Sequence, residues 1–132
     1  ILNRAQSIRP KQWNEMPRWY REFSCSYIAA NPRGLKAWDK LADHATKHQG
    51  VHQANNFFIT PQVLTKIKVP TLLVTGDADS STPPSIMRMV AKCIRRSELV
   101  TVAECGHSIY WEHPKLFNDI VLDFIRRHRK RR

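Results

Sequence analysis

The sequence predicts an α/β fold, in which parallel strands are covered by helices. Two short apolar runs rich in β-branched residues, 71–75 and 98–102, have the composition of buried parallel strands. A helical pattern lies between them, because apolar residues recur there at steps of three and four: Ile86, Met89, Val90, Cys93 and Ile94. Strand, helix and strand in this order form a βαβ unit, so we expect the two strands to lie parallel in one sheet.

Each predicted strand leads into a turn that carries an ionisable group. The first strand ends at Gly76, which permits a sharp turn, and continues into Asp77 and Asp79. The second strand leads to Gly106 and His107. In parallel α/β sheets, ligands and catalytic groups collect beyond the carboxyl ends of the strands. An aspartate and a histidine placed there are candidates for the orienting acid and the general base of a catalytic triad.

The remaining elements of this half follow from local signals. Pro70 has no N–H to donate and suits the start of the first strand. Thr82 is expected to cap the central helix, with Pro83 in its first turn. A last helix is predicted over 116–127, beginning near Pro114, and should cover one face of the sheet. Its buried face is predicted to consist of Phe117, Ile120, Val121, Phe124 and Ile125.

The region before the first strand is predicted to be helical. From Lys11 to Ala30 a stripe of mostly aromatic residues recurs at helical steps, and Pro17 predicts a break within it. The stripe consists of Trp13, Met16, Tyr20, Phe23 and Tyr27. A second helical stripe runs over 35–45. Near its end His44 and His48 would share a helix face beside Asp43, but the metalloprotease pattern is missing, so we predict no metal site there.

Composition describes an ordinary globular chain with a basic end. The 132 residues are 42% hydrophobic and 25% charged, and no apolar run is long enough to predict a transmembrane helix. Of the net charge of +11, six positive charges lie in residues 126–132, a tail whose simplest interpretation is solvation; no specific nucleic-acid partner is predicted. Three cysteines without a Cys-x-x-Cys pattern fit a reducing compartment, so a cytoplasmic location is expected.

Several motifs together resemble the last third of an α/β-hydrolase. They are Gly76 to Asp79, Pro83-Pro84, Gly106-His107-Ser108 and the run Tyr110-Trp111-Glu112-His113-Pro114. The resemblance implies that Asp79 is the triad acid and His107 the base, with Asp77 better suited to binding loop N–H groups. In that family the nucleophile precedes both on a Gly-x-Ser-x-Gly turn, and this chain contains no such turn.

The resemblance also implies a domain organisation. Residues 1–60 are predicted to form a helical cap or lid segment, 61–128 the βαβα C-terminal part of the hydrolase core, and 129–132 a basic tail. Aromatic residues of the cap are the candidates for binding an apolar substrate: Trp13, Trp19, Tyr20 and Phe23. An ordinary helix packing its aromatic face into a core would show the same stripe.

The function implied is one part of a serine hydrolase acting on an ester or related acyl substrate. Two strands are too few for a stable sheet, so we expect a complementary N-terminal half, on a separate or cleaved chain, to carry the nucleophile. A fragment of a longer chain is the other possibility. Alternatives within the fold are a C–C hydrolase, an epoxide hydrolase, an acyltransferase or a non-catalytic subunit. No cofactor or metal is expected.

Overall fold

The computed structural model describes residues 10–44 and 59–129 of the chain. Within these ranges, two parallel strands form one sheet. Strand β1 spans Thr71–Gly76 and strand β2 spans Ser97–Val102. They pair in register, from Thr71 opposite Ser97 to Gly76 opposite Val102. The parallel pairing predicted from the βαβ pattern is therefore confirmed, and the carboxyl ends of the two strands lie side by side.

Helices make up most of the rest of the described chain. A short 3₁₀ helix, Lys11–Asn14, comes first. The α-helices are α1 (Arg18–Glu22), α2 (Cys25–Ala30), α3 (Pro32–His44), α4 (Pro61–Leu64), α5 (Pro84–Cys93), α6 (Ile109–Glu112) and α7 (Pro114–His128). Helix α5 connects β1 to β2, while α6 and α7 follow β2. His48, considered above beside His44, lies outside the described residues.

The N-terminal helical stripe is broken twice. The break predicted at Pro17 is present, since α1 begins directly after it. A second break at Ser24 was not predicted. It arises because Ser24 is extended and its hydroxyl accepts a hydrogen bond from the Tyr27 N–H, 3.1 Å away, which caps the start of α2. Helix α3 starts at Pro32, where the Asn31 side chain accepts from the Gly34 N–H at 2.9 Å.

The core of the C-terminal part is small and lies beside the end of β2. Val102, Cys105 and Ile109 are buried there, and half-buried side chains of both strands and of α7 pack against them: Val74, Val100, Phe117 and Ile120. The prediction for α7 was wrong at Ile125, which is 52% exposed. At 3.6 residues per turn, Ile125 lies at the margin of the stripe formed by the other four residues, so it turns towards solvent.

The far end of α7 is fastened to the beginning of β2 by charged groups. Both terminal nitrogens of the Arg127 guanidinium, Nη1 and Nη2, donate to the Glu98 carboxylate, at 2.8 and 2.6 Å. His128 Nε2 lies 2.8 Å from the same carboxylate. This surface cluster lies at the strand end opposite to Gly76 and Val102. Across the described ranges, every helix is too short or too polar to cross a lipid bilayer.

Candidate active site

The candidate site occupies the two loops that leave the carboxyl ends of β1 and β2. A side chain at Gly76 would overlap the backbone carbonyls of Cys105 and Gly106, so only glycine allows the loops to approach this closely. Two backbone bonds join them, from the Asp77 N–H to the Val102 carbonyl (2.9 Å) and from the Ala78 N–H to the Cys105 carbonyl (3.0 Å). The two loops therefore form one supported surface.

Asp79 is a buried carboxylate, 4% exposed, with a complete set of donors. Its Oδ1 accepts from the N–H groups of Ser81 and Thr82, both at 2.8 Å. Its Oδ2 accepts from the Thr82 hydroxyl at 2.8 Å and lies 2.9 Å from His107 Nδ1. Burial by itself raises the pKa of Asp79, but the hydrogen bonds from His107 and Thr82 outweigh it and hold the pKa below its ordinary value.

The prediction that Thr82 caps the following helix was wrong. The residue preceding α5 is Pro83, and no side chain caps that helix. The Thr82 hydroxyl instead donates to Asp79, and its oxygen lies 3.3 Å from His107 Nδ1. Thr82 thus contacts both members of the pair.

His107 is buried on its Asp79 side and open on the other, with 42% of its side chain exposed. An Asp79 carboxylate at Nδ1 selects the tautomer that carries the proton there, so the lone pair lies on Nε2. The hydrogen bond to Asp79 raises the pKa of His107, and partial burial lowers it by less. The negative charges of Asp79 and Glu22 raise this pKa further. An imidazole held this way can accept a proton at Nε2 and keep the resulting charge next to Asp79.

The two aspartates of the first loop occupy different environments. Asp77 is exposed, and its Oδ1 accepts from the Cys105 N–H at 3.4 Å. Asp79 is the one that contacts His107. The structure thus brings together the pair favoured from the sequence, while their catalytic roles stay predictions.

Residues 22–24, the base of the helical segment, pack directly against the loop that carries His107; this contact was not predicted. The Ser108 N–H donates to the Glu22 carbonyl (2.9 Å), and the Ser108 hydroxyl donates to Glu22 Oε2 (2.7 Å). Ser24 reaches the same region, because its N–H and hydroxyl both donate to the Glu112 carboxylate. These partners are more than 80 residues apart, and no local sequence signal indicates such contacts.

The four aromatic candidates for substrate binding are differently placed. The ring centroid of Phe23 lies 5.0 Å from that of Tyr27 and 5.3 Å from that of Trp38. Because Phe23 is only 4% exposed, it offers almost no surface to a substrate. Trp13 and Trp19 are half-buried, and Tyr20 is 40% exposed. A substrate contact remains a prediction for these three.

One group of side chains brings potential metal-ligand atoms close together. Donor atoms of Cys105, Glu112 and His113 lie within 4.8 Å of one another. Burial, with the nearby charges of Glu112 and Asp77, raises the pKa of the Cys105 thiol to about 12, so this side chain is a protonated thiol. Both Glu112 oxygens already accept hydrogen bonds. Asp43, which lies beside the histidine pair for which no metal site was predicted, forms an ion pair with Arg18 at 2.6 Å.

Comparison with known proteins decides the family. A sequence profile described as TAP-like protein, of the α/β-hydrolase class, matches residues 46–131. The chain belongs to this α/β-hydrolase family. The fold class predicted from the sequence, the C-terminal part of an α/β-hydrolase, is confirmed.

Relatives with known names are hydrolases. The chain is 34% identical over 64 residues to a 2-hydroxy-6-oxononadienedioate/2-hydroxy-6-oxononatrienedioate hydrolase of Burkholderia vietnamiensis, which covers 48% of this chain and 22% of the relative. It is 36% identical over 64 residues to the monoacylglycerol lipase ABHD6 of Bos taurus, covering 48% and 19%. The matched regions thus span about a fifth of these relatives.

A solved structure matches nearly the whole chain. The thermophilic esterase of Thermogutta terrifontis superposes with a TM-score of 0.76 at 21% identity, over 98% of this chain and 48% of the esterase. The likeness concerns the fold. This hydrolase-family chain therefore corresponds to about half of that α/β-hydrolase structure.

Proposed function

We propose that this chain supplies the acid, Asp79, and the general base, His107, of a serine hydrolase that acts on an ester or related acyl substrate. The observation that carries the proposal is the 2.9 Å contact between a buried carboxylate and the Nδ1 of a half-exposed histidine. The family relationship supports it, because relatives of this chain are hydrolases.

In the proposed mechanism His107 Nε2 takes the proton from a serine hydroxyl as that oxygen attacks the acyl carbonyl. His107 then returns the proton to the leaving alcohol, and repeats both steps with water to release the acid. Asp79 holds the proton on Nδ1 and stabilises the imidazolium that forms in each step. The oxyanion hole is assigned to N–H groups near the nucleophile, outside this chain.

The nucleophile is proposed to come from a complementary hydrolase half, carried on a separate or cleaved polypeptide. The sequence contains no Gly-x-Ser-x-Gly turn. In the described residues the sheet has two strands whose central side chains, such as Leu73 and Leu99, are only half-buried. Parallel sheets are normally covered on both faces and contain more strands, so further strands and helices would complete this one.

The proposal is tested by identifying what binds the purified chain and then measuring hydrolysis. Native and denaturing mass spectrometry should reveal a second polypeptide that contains a Gly-x-Ser-x-Gly turn. Hydrolysis of p-nitrophenyl acetate by this assembly should fall at least about 10³-fold in His107→Ala. His128→Ala, a histidine variant at the opposite end of the strands, should leave the rate unchanged. Equal rates in His107→Ala and wild type would refute the proposal.

A second candidate, C–C bond hydrolysis, is favoured by the 34% identity to the Burkholderia enzyme. The same assembly would then turn over 2-hydroxy-6-oxononatrienedioate faster than simple esters. Comparing kcat/KM for that compound and for acyl esters of increasing chain length separates the two candidates.

The chain-length preference also tests the proposed substrate contacts, since Trp19→Ala or Tyr20→Ala should alter it.

A further inference from the structure

Glu112 is a second buried carboxylate near the candidate site, and the mechanism above does not use it. It is 9% exposed. Its Oε1 accepts from the N–H groups of Gly106 (2.8 Å) and Ser24 (3.0 Å), and its Oε2 accepts from the Ser24 hydroxyl (2.6 Å). These donors are all neutral. A buried carboxylate is costly unless hydrogen bonds compensate it, so the site is built around this set of contacts.

The contact with Gly106 bears directly on His107, the next residue. On its other side Gly106 touches the backbone of the 22–24 segment so closely that a Cβ would lie 2.6–2.8 Å from atoms of Phe23, Ser24 and Glu22. The Ser108 N–H binds the Glu22 carbonyl one residue after His107. The backbone of residues 106–108, here called the histidine loop, is therefore held between α6 and the base of the helical segment.

Glu112 is the side chain that binds both of these parts. Glu112 does not hydrogen-bond to the imidazole of His107. The Nδ1 of that ring faces Asp79 and the Thr82 hydroxyl, and the charge of Glu22 lies nearby. Its influence on His107 must therefore pass through the backbone. Moving the loop by a fraction of an ångström would lengthen the hydrogen bond between His107 and Asp79.

We propose that Glu112 is a positioning residue, which fixes the histidine loop against the 22–24 segment and thereby sets the His107–Asp79 contact. This inference deepens the proposed function and rests on it. It also implies that displacement of the helical segment at Ser24 is transmitted to the general base.

The test is an NMR titration of His107 in the full chain, with any polypeptide that remains bound to it, using ¹³Cε1-labelled histidine. Glu112→Ala removes all three hydrogen bonds, and we expect the titration midpoint of His107 to fall towards the ~6.5 of an unperturbed imidazole. Glu112→Gln keeps an oxygen for both N–H groups and should titrate as the wild type does. Glu98→Ala, which removes another multiply bonded carboxylate far from the loop, is the control and should leave the midpoint unchanged.

A purely structural role predicts a different result. A folded Glu112→Ala whose His107 titrates as in the wild type would overturn the inference, and so would Glu112→Gln behaving like Glu112→Ala, since charge rather than hydrogen bonding would then matter. If Glu112→Ala does not fold, Glu112→Asp replaces it in the test, because it keeps the charge but withdraws the oxygens from Gly106. The titration midpoint of His107 should then fall in Glu112→Asp.

Turnover separates this inference from the proposed function. In the assembled hydrolase we expect kcat to fall at least tenfold in Glu112→Ala, with KM within about twofold and recovery in Glu112→Gln. If His107→Ala abolishes hydrolysis while Glu112→Ala leaves both the titration and kcat unchanged, the positioning role fails and the proposed function stands. If the titration responds but the wild type hydrolyses nothing, the proposed function fails instead.

Discussion

Two histidine–carboxylate contacts of almost equal length lie at opposite ends of the strand pair. His107 Nδ1 is 2.9 Å from Asp79, and His128 Nε2 is 2.8 Å from Glu98. Their surroundings differ. The Asp79 side chain is 3% exposed, and its other donors are neutral groups of Ser81 and Thr82. The Glu98 side chain is 35% exposed and also binds Arg127.

The difference shows why distance alone does not identify a catalytic pair. Hydrogen bonds from Arg127, and then from His128, lower the pKa of Glu98 to about 2. That carboxylate already has a permanent cation as partner. Asp79 has no cationic partner except His107 in the described parts of the chain, so its negative charge is available for the imidazolium that the proposed mechanism forms. The buried pair suits proton transfer, and the exposed cluster suits attachment of α7.

The largest expected effect comes from neutralising each carboxylate in turn. In the proposed assembly with a complementary half, Asp79→Asn should lower kcat about 10⁴-fold, because an amide no longer selects the tautomer with its lone pair on Nε2. Glu98→Gln should leave kcat within twofold. Initial-rate measurements on both variants, with circular dichroism to establish folding, check this. Comparable losses in both would erase the distinction drawn between the two pairs.

The thiols show the same contrast between a buried and an exposed group. With the pKa of Cys105 raised to about 12 by burial, only ~10⁻⁴ of that thiol is ionised at pH 8, whereas Cys25 is exposed to solvent. A disulfide reagent should therefore modify Cys25 at least 100-fold faster than Cys105, as mass spectrometry of timed samples would show. Cys25→Ser is the control. Rapid labelling of Cys105 in that variant would mean that the chain around Cys105 opens readily.

Sequence reasoning worked where the determinants are local. The strands follow from β-branched apolar runs, and the sharp turn after β1 follows from Gly76. Asp79 and His107 could be singled out because each comes just after a strand, and parallel strands bring such loops together. The break at Ser24 could also have been found, because serine is a favoured residue at the start of a helix.

The rest depends on contacts between distant parts of the chain. The Ser24–Glu112 contact joins positions 88 residues apart, and nothing in either neighbourhood indicates the partner. Thr82 had two plausible uses, as a helix cap or as a donor to Asp79, and burial of the aspartate decided between them because a buried carboxylate needs every available donor. Phe23 fitted a substrate-facing stripe, but Tyr27 and Trp38 enclose it.

A smaller effect is expected in the pH dependence. As the proposed general base, His107 must be neutral, so kcat/KM should rise with pH around the pKa of His107, which the Asp79 contact raises above its ordinary value. Glu22→Gln removes one of the negative charges near the imidazole and should move the midpoint to lower pH. Asp79→Asn should move it further, because it removes both the hydrogen bond and the nearer charge. The NMR titration of His107 gives the same order independently of turnover.

Loss of the exposed cluster should have the smallest consequence. Arg127→Ala removes the bonds to Glu98 and Asp123, which lie at the surface and are accessible to salt. The thermal midpoint should fall slightly in dilute buffer. The difference from the wild type should nearly vanish in 1 M NaCl, where the screening length is about 3 Å. His107 should titrate as in the wild type in both buffers, because Arg127 contacts neither loop of the candidate site. A shift of the His107 midpoint in Arg127→Ala would instead mean that the two ends of the strand pair are coupled through α7.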